Sequence, residues 1–388
     1  MNAHDATASR RLRRIPADRF FFPAAVTYAL VAVPLSVQGL LGDPAWAPGL
    51  ASPLGHGQGV LFGFALALVA GFLVTRVSAG ILAALAGLWL LGRVATLWPA
   101  GMIALVPDAL FVVLLAVLIV PPLLRRAKKW RNLAFGWLLL TICLAALTAP
   151  VLRLLTLQGP AWLLLREAVL LFALLMLFVG GRIIAPAVAG AIERQGGRLT
   201  ARVQPQLEAA LLILMAAAAI ALALPTAGIL AGSLLWAAAA LAAIRLLRWR
   251  LWRCRHRPDL ITLGIGYAWL VVGIALLGAQ QLGAVTPGTA THAVTVGALG
   301  HLASAVITRT WGHRHRWRPE QYRYLLPLSG LLSLSAAARL LWADTVTGLW
   351  LAAGLWSLAL GLLLAQMVRM AWRPAPRPDS PTHPSENR

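Results

Sequence analysis

The residues best suited to chemistry in this chain are its histidines, because a neutral imidazole ligates copper and haem iron. There are eight of them in 388 residues. His56 and His292 each open a long apolar run, and both runs lead in the same direction, so the two imidazoles share a depth. Two imidazoles from two helices make a reasonable axial pair, which marks His56 and His292 as candidate metal ligands. His301 follows nine residues after His292. In an unbroken α-helix that is about 13 Å deeper and on the opposite side. His292 and His301 then serve two sites, or one of them is structural. The competing reading leaves each histidine satisfied by backbone or hydroxyl partners. His256, His313 and His315 lie among arginines. His313-x-His315 has the spacing of a chelate, but the surrounding positive charge opposes a bound cation. His4 and His383 fall in the polar chain ends.

Ionisable groups inside apolar runs cost about 2.5–3.5 kcal/mol each on insertion scales, so they need partners or a function. Arg93 closes one run and Asp108 opens the next, with only the turn Trp98-Pro-Ala-Gly101 and a few apolar residues between them. One reading is a salt bridge that locks the hairpin, and the other is a counter-charge for a bound anion. Arg182 follows Gly180 and Gly181, and paired glycines let helices approach closely. This arginine snorkels to the interface or meets an anionic head group. Arg166 and Glu167 open a run and read as interfacial. The candidate cofactor-binding set is therefore His56, His292, His301, Arg93, Asp108 and Arg182.

These residues are set in an unusually apolar chain. Hydrophobic residues make up 60% of it and charged ones 12%, against about 25% charged in soluble domains. The mean hydropathy is +0.78. A water-soluble enzyme and a disordered chain are excluded. Spanning a bilayer takes about 20 apolar residues per helix. Twelve runs qualify, near 20–41, 57–75, 79–97, 102–124, 132–156, 162–185, 207–224, 227–247, 260–282, 290–308, 322–343 and 347–371. Their continuity excludes a β-barrel, whose strands alternate over about 10 residues. The expected fold is all-α, a polytopic transmembrane bundle of about twelve helices. It divides into a basic head, 1–19, one membrane domain, 20–372, and a Pro-rich tail, 373–388, that reads as disordered. The first run is too long for a signal-peptide core and reads as a membrane helix. No short repeat is evident.

The net charge of +22 has a positional explanation. All but five of the 34 Lys and Arg residues lie in the head, in the even-numbered connections and at the C-terminal end. The odd-numbered connections carry none in their short loops. By the positive-inside rule both termini are cytoplasmic, and the basic loops suit anionic lipid head groups. The clusters form no nucleic-acid-binding motif, so nucleic acid is not an expected partner. Cys143 lies in a helix and Cys254 in a connection. The two do not pair, and neither has metal-ligand spacing.

Several segments, taken in order, resemble one family. The stretch His56-Gly-Gln-Gly-Val-Leu-Phe-Gly-Phe64, with Ala70-Gly-Phe-Leu-Val-Thr75 after it, resembles the second-helix motif of the NnrS family. So do Gly180-Gly-Arg-Ile-Ile-Ala-Pro186, His292-Ala-Val-Thr-Val-Gly-Ala-Leu-Gly300, Ile307-Thr-Arg309 and Gly312-His313, while Leu-Gly-Arg93 and Pro-Asp108 fall where that family has an arginine and an aspartate. The resemblance implies a bacterial inner-membrane protein containing haem and copper and linked to nitric oxide metabolism and nitrosative stress. By position, His56 and His292 look like family histidines, and His313 matches a cytoplasmic one. The chain departs from the pattern at Gln58 and Gly59, where the family has a second histidine and a glutamate, and at Gly264, where it has another histidine. An unidentified redox partner is implied for a haem protein. The alternative is a metal-free carrier or channel for a small solute. A haem-copper oxidase core needs more intramembrane histidines than these three.

Overall fold

The computed structural model describes residues 14–98, 101–315, 317 and 319–372. Most of the basic head, the whole tail, His4 and His383 lie outside the described residues. Among those described, twelve helical spans are long and apolar enough to cross a membrane. Among the described residues no strand occurs beyond one isolated bridge, Ile15 to Val77. Lipid offers the backbone no hydrogen bonds, so each crossing must satisfy its own as a helix.

The spans are built from α1 (Asp18–Leu40), α2 (Pro53–Leu73), α3 (Ala79–Leu97), α4 (Val106–Arg125), α5 (Trp130–Leu154) and α6 (Gln158–Glu193) in the first half. The second half has α7 (Pro205–Leu222), α8 (Gly228–Arg248), α9 (Pro258–Gln281), α10 (Pro287–His292), α11 (Gly300–Arg314), α12 (Leu325–Leu341) and α13 (Val346–Trp372). α10 and α11 are two parts of one span, joined by a π-helical stretch, Ala293–Leu299. Proline at or next to the first position starts α2, α7, α9 and α10, where its missing N–H costs nothing. Ser52, Ser78 and Thr286 cap their helices by accepting from Gly55, Ile81 and Thr289.

Helix ends depart from the apolar runs. The sixth run was expected over 162–185, yet α6 covers 36 residues. It runs through Pro186, which removes one hydrogen bond without ending the helix, and on to Glu193. At 1.5 Å per residue it is about 54 Å long, well beyond an apolar core of about 30 Å. Hydropathy marks what lies in lipid, not where a helix stops.

α6 is the most enclosed span and packs on α2, α5, α7 and α9. α1 joins α2 to α13, so the two ends of the chain close on each other. α3, α4, α7 and α8 are peripheral and turn residues such as Leu91, Val117, Ile213 and Leu247 outward. At the end of the bundle that carries the basic connections, ion pairs tie distant helices. Asp18 accepts from Arg314 at 2.5 and 2.8 Å and from the Trp311 indole at 3.0 Å. Asp259 pairs with Arg257 at 2.9 Å and with Arg309. Glu208 bridges Arg131 at 2.8 Å and Arg245 at 2.7 Å.

A π-helical stretch separates His292 from His301. In a straight α-helix His292 and His301 stand on opposite sides, but i→i+5 winding between them changes the angle. Close packing accounts for it. A Cβ on Gly297 would lie 2.7 Å from the Trp269 ring, and one on Gly273 of α9 would lie 2.7 Å from Val294. The wider turn is pressed directly onto α9. Thr295 adds support by donating to the Thr291 carbonyl at 3.0 Å.

Candidate functional site

His56 and His292 meet at the end of the bundle opposite the basic connections. Their ring centres are 6.2 Å apart and the planes are nearly parallel, at 15°. They share a cavity of about 330 Å³ enclosed by α1, α2, α6, α10 with its π-helical extension, α12 and α13. That lies at the lower end of the range for ligand sites, about 300–1,000 Å³. Val37, Val60, Phe64, Trp162, Leu299 and Trp356 are among its largely apolar walls.

The hydrogen bonds fix what each imidazole offers. Ser36 Oγ donates to the Leu50 carbonyl at 3.0 Å and lies 2.8 Å from His56 Nδ1. A hydroxyl has one proton, so Ser36 accepts from His56, and Nδ1 carries the hydrogen. His292 Nδ1 lies 2.7 Å from the Gly288 carbonyl, which can only accept. Both rings are thus Nδ1–H tautomers with an Nε2 lone pair that no group among the described residues engages. Metal-binding histidines almost always donate their other N–H in this way.

Spacing supplies a second test. Two imidazoles flanking one metal stand about 6 Å apart between centres, from bonds of about 2.0–2.1 Å and roughly 1 Å from nitrogen to ring centre on each side. The observed separation fits. Among the described residues no three His, Cys, Asp or Glu side chains gather as a metal cage, so the pair is a two-nitrogen donor set. Two neutral imidazoles could hold a haem iron, whereas a closed zinc site needs four ligands.

The other candidate residues are elsewhere. His301 is fully buried, with Nδ1 2.5 Å from the Gly297 carbonyl and Nε2 3.0 Å from the Ser329 carbonyl and 3.1 Å from Ser333 Oγ. Both nitrogens are engaged, which is the satisfied-histidine reading, and the structure does not bring this residue to the cavity. Arg93 and Asp108 form the hairpin salt bridge, with Arg93 also donating to Gly59 O at 3.3 Å and lying over the Tyr28 ring at 5.3 Å. They line a separate cavity of about 100 Å³ together with Gln58, Thr96 and Arg153. Arg182 lies toward the basic end, 4.0 Å over the Phe178 ring and bonded to Asn132.

The positions that depart from the family pattern are structurally committed. Gln58 donates to the Ala149 carbonyl at 3.0 Å. A side chain at Gly59 would meet Leu50 at 2.5 Å, and one at Gly264 would meet Leu251 at 3.0 Å. Neither Gln58, Gly59 nor Gly264 lines the histidine cavity.

Sequence reasoning missed Ser36 and Arg339. Ser36 is an isolated hydroxyl in an apolar run and carries no pattern. Arg339 lies in the last turn of α12 and lines the cavity, as Arg166 does. The one signal for it was an arginine with no acidic residue within one helical turn.

No curated protein matches the chain. A family model described as NnrS protein matches residues 17–375. With nearly the whole chain covered and twelve membrane-length helices in place, this multi-pass membrane protein belongs to the NnrS family.

Proposed function

We propose that the cavity between His56 and His292 holds a haem, and that the protein serves nitric oxide metabolism or nitrosative-stress tolerance in a bacterial inner membrane. The observation that supports the reading is the matched pair of imidazoles, each with Nδ1–H donated away and Nε2 left open, with ring centres 6.2 Å apart. The function class comes from family membership. Copper at the same pair is the second metal the family implies.

Bound haem supplies one-electron chemistry and a site for small diatomic ligands. The chain's own residues hold, orient and enclose. Ser36 and Gly288 set the tautomers and ring orientations. Phe64, Val60 and Trp356 give the cavity apolar walls. Beneath it lies an almost wholly apolar cavity of about 110 Å³, which shares Val69 and Leu299 with the first. A small neutral gas partitions readily into such a space. The basic connections face the cytoplasm in this reading, where they meet anionic head groups, and a redox partner docks on one of the two faces.

An optical spectrum with elemental analysis of protein purified from haem- and copper-replete cells tests this. A Soret band lost in both His56→Ala and His292→Ala is expected. Stoichiometric copper without a Soret band would replace haem by copper. Colourless, metal-free wild-type protein would refute the reading and leave the metal-free carrier.

A further inference from the structure

The walls of the histidine cavity carry two guanidinium groups, Arg166 and Arg339, and no carboxylate. This imbalance is unusual within the bundle. Arg93 is paired with Asp108, Arg245 with Glu208 and Arg309 with Asp259, while Arg182 is held by Asn132. Arg166 and Arg339 make neither a hydrogen bond nor an ion pair among the described residues. Arg339 is half-buried, and its charge acts on both imidazoles. Asp344, beyond the end of α12, acts on it electrostatically without forming an ion pair. A half-buried cation without a partner is costly, and the cost is removed by an anion brought in with a ligand. Apart from the two imidazoles and the hydroxyl residues Thr291, Thr295 and Ser335, of which Thr295 and Ser335 donate to backbone carbonyls, the remaining lining is apolar. The cavity therefore asks for a ligand with an apolar body and anionic groups at its edge.

We infer that Arg339 and Arg166 bind the carboxylates of the haem, one guanidinium to each acid, while His56 and His292 hold the iron. The assignment rests on the haem reading above and adds the groups that orient the macrocycle. It also separates the anion-binding role from Arg93, whose charge Asp108 already neutralises.

The experiment titrates detergent-solubilised protein, freed of pigment, with haem and with haem dimethyl ester, following the Soret band. Wild-type protein is expected to bind the diacid about tenfold to a hundredfold more tightly than the diester, as charge-assisted bonds are lost with the ester. Arg339→Gln and Arg166→Gln should each weaken binding of the diacid and leave the diester unchanged, with the absorption maximum of the bound form retained. Arg339→Lys should keep part of the preference, which guards against a folding defect in the glutamine variant. Equal affinity of wild-type protein for diacid and diester overturns this inference and leaves the haem reading standing. So does an Arg339→Gln variant that loses both compounds equally while remaining monodisperse. Binding of neither compound to wild-type protein overturns both.

Discussion

Replacing Asp108 by alanine leaves Arg93 charged and without its counter-ion at a site only 7% exposed. Removing one partner of a buried ion pair costs about 3–5 kcal/mol, because the remaining charge is uncompensated. Two features place the cost at the lower end. Arg93 keeps its bond to the Gly59 carbonyl at 3.3 Å and its positions over Tyr28 at 5.3 Å and Trp89 at 5.9 Å, and such ring contacts are worth about 0.5–2 kcal/mol each. The Asp108 side chain is itself 25% exposed, so the pair is not fully dry. The expected loss is about 3 kcal/mol. Reversible SDS unfolding of the micelle-bound protein, followed by tryptophan fluorescence, measures it. The double variant Arg93→Met with Asp108→Leu should recover most of the loss, since an apolar replacement of a buried pair is often neutral. An Asp108→Ala protein within about 1 kcal/mol of wild type, or a double variant less stable than either single one, would refute the argument.

Two further outcomes follow from the structure. Ser36→Ala removes the acceptor for His56 Nδ1 and should lower haem affinity about tenfold to a hundredfold, while Ser36→Thr keeps the hydroxyl and most of the affinity; a Soret titration reads both, and an unchanged Ser36→Ala would remove Ser36 from the site. A reporter that works only in the periplasm should be inactive when fused after Gly197, in the basic connection before α7, and active after Asp344, and the reverse pattern would invert the topology.

The twelve crossings were legible because lipid lets only self-satisfied helices pass, so run length translates almost directly into architecture. The union of His56 with His292 was legible for a similar reason. Both open runs that lead in one direction, and depth in a membrane is a coordinate a sequence reveals. The rotation of each helix is not such a coordinate. It decides that Gln58, two residues after His56, faces Ala149 and the Arg93 cavity instead. The π-helical stretch was invisible because its cause, Gly297 against Trp269 and Gly273 against Val294, is tertiary. Arg339 reads as an ordinary arginine at a helix end, and only the assembled cavity shows it to lack a partner.

The contact between Asp18 and Arg314 joins residues 296 positions apart. At a synthesis rate of about 5–20 residues per second, the first helix waits roughly 15–60 seconds before its aspartate can find that arginine. α13, against which α1 also packs, is made later still. The opening helix is therefore an early inserter and a late assembler. During that interval its inward face, Phe21, Ala25 and Ala29, has only the early helices or lipid for company. A ribosome stalled before residue 314 would hold a chain whose first half is inserted while α12 and α13 are still unmade and α1 lacks its last neighbours.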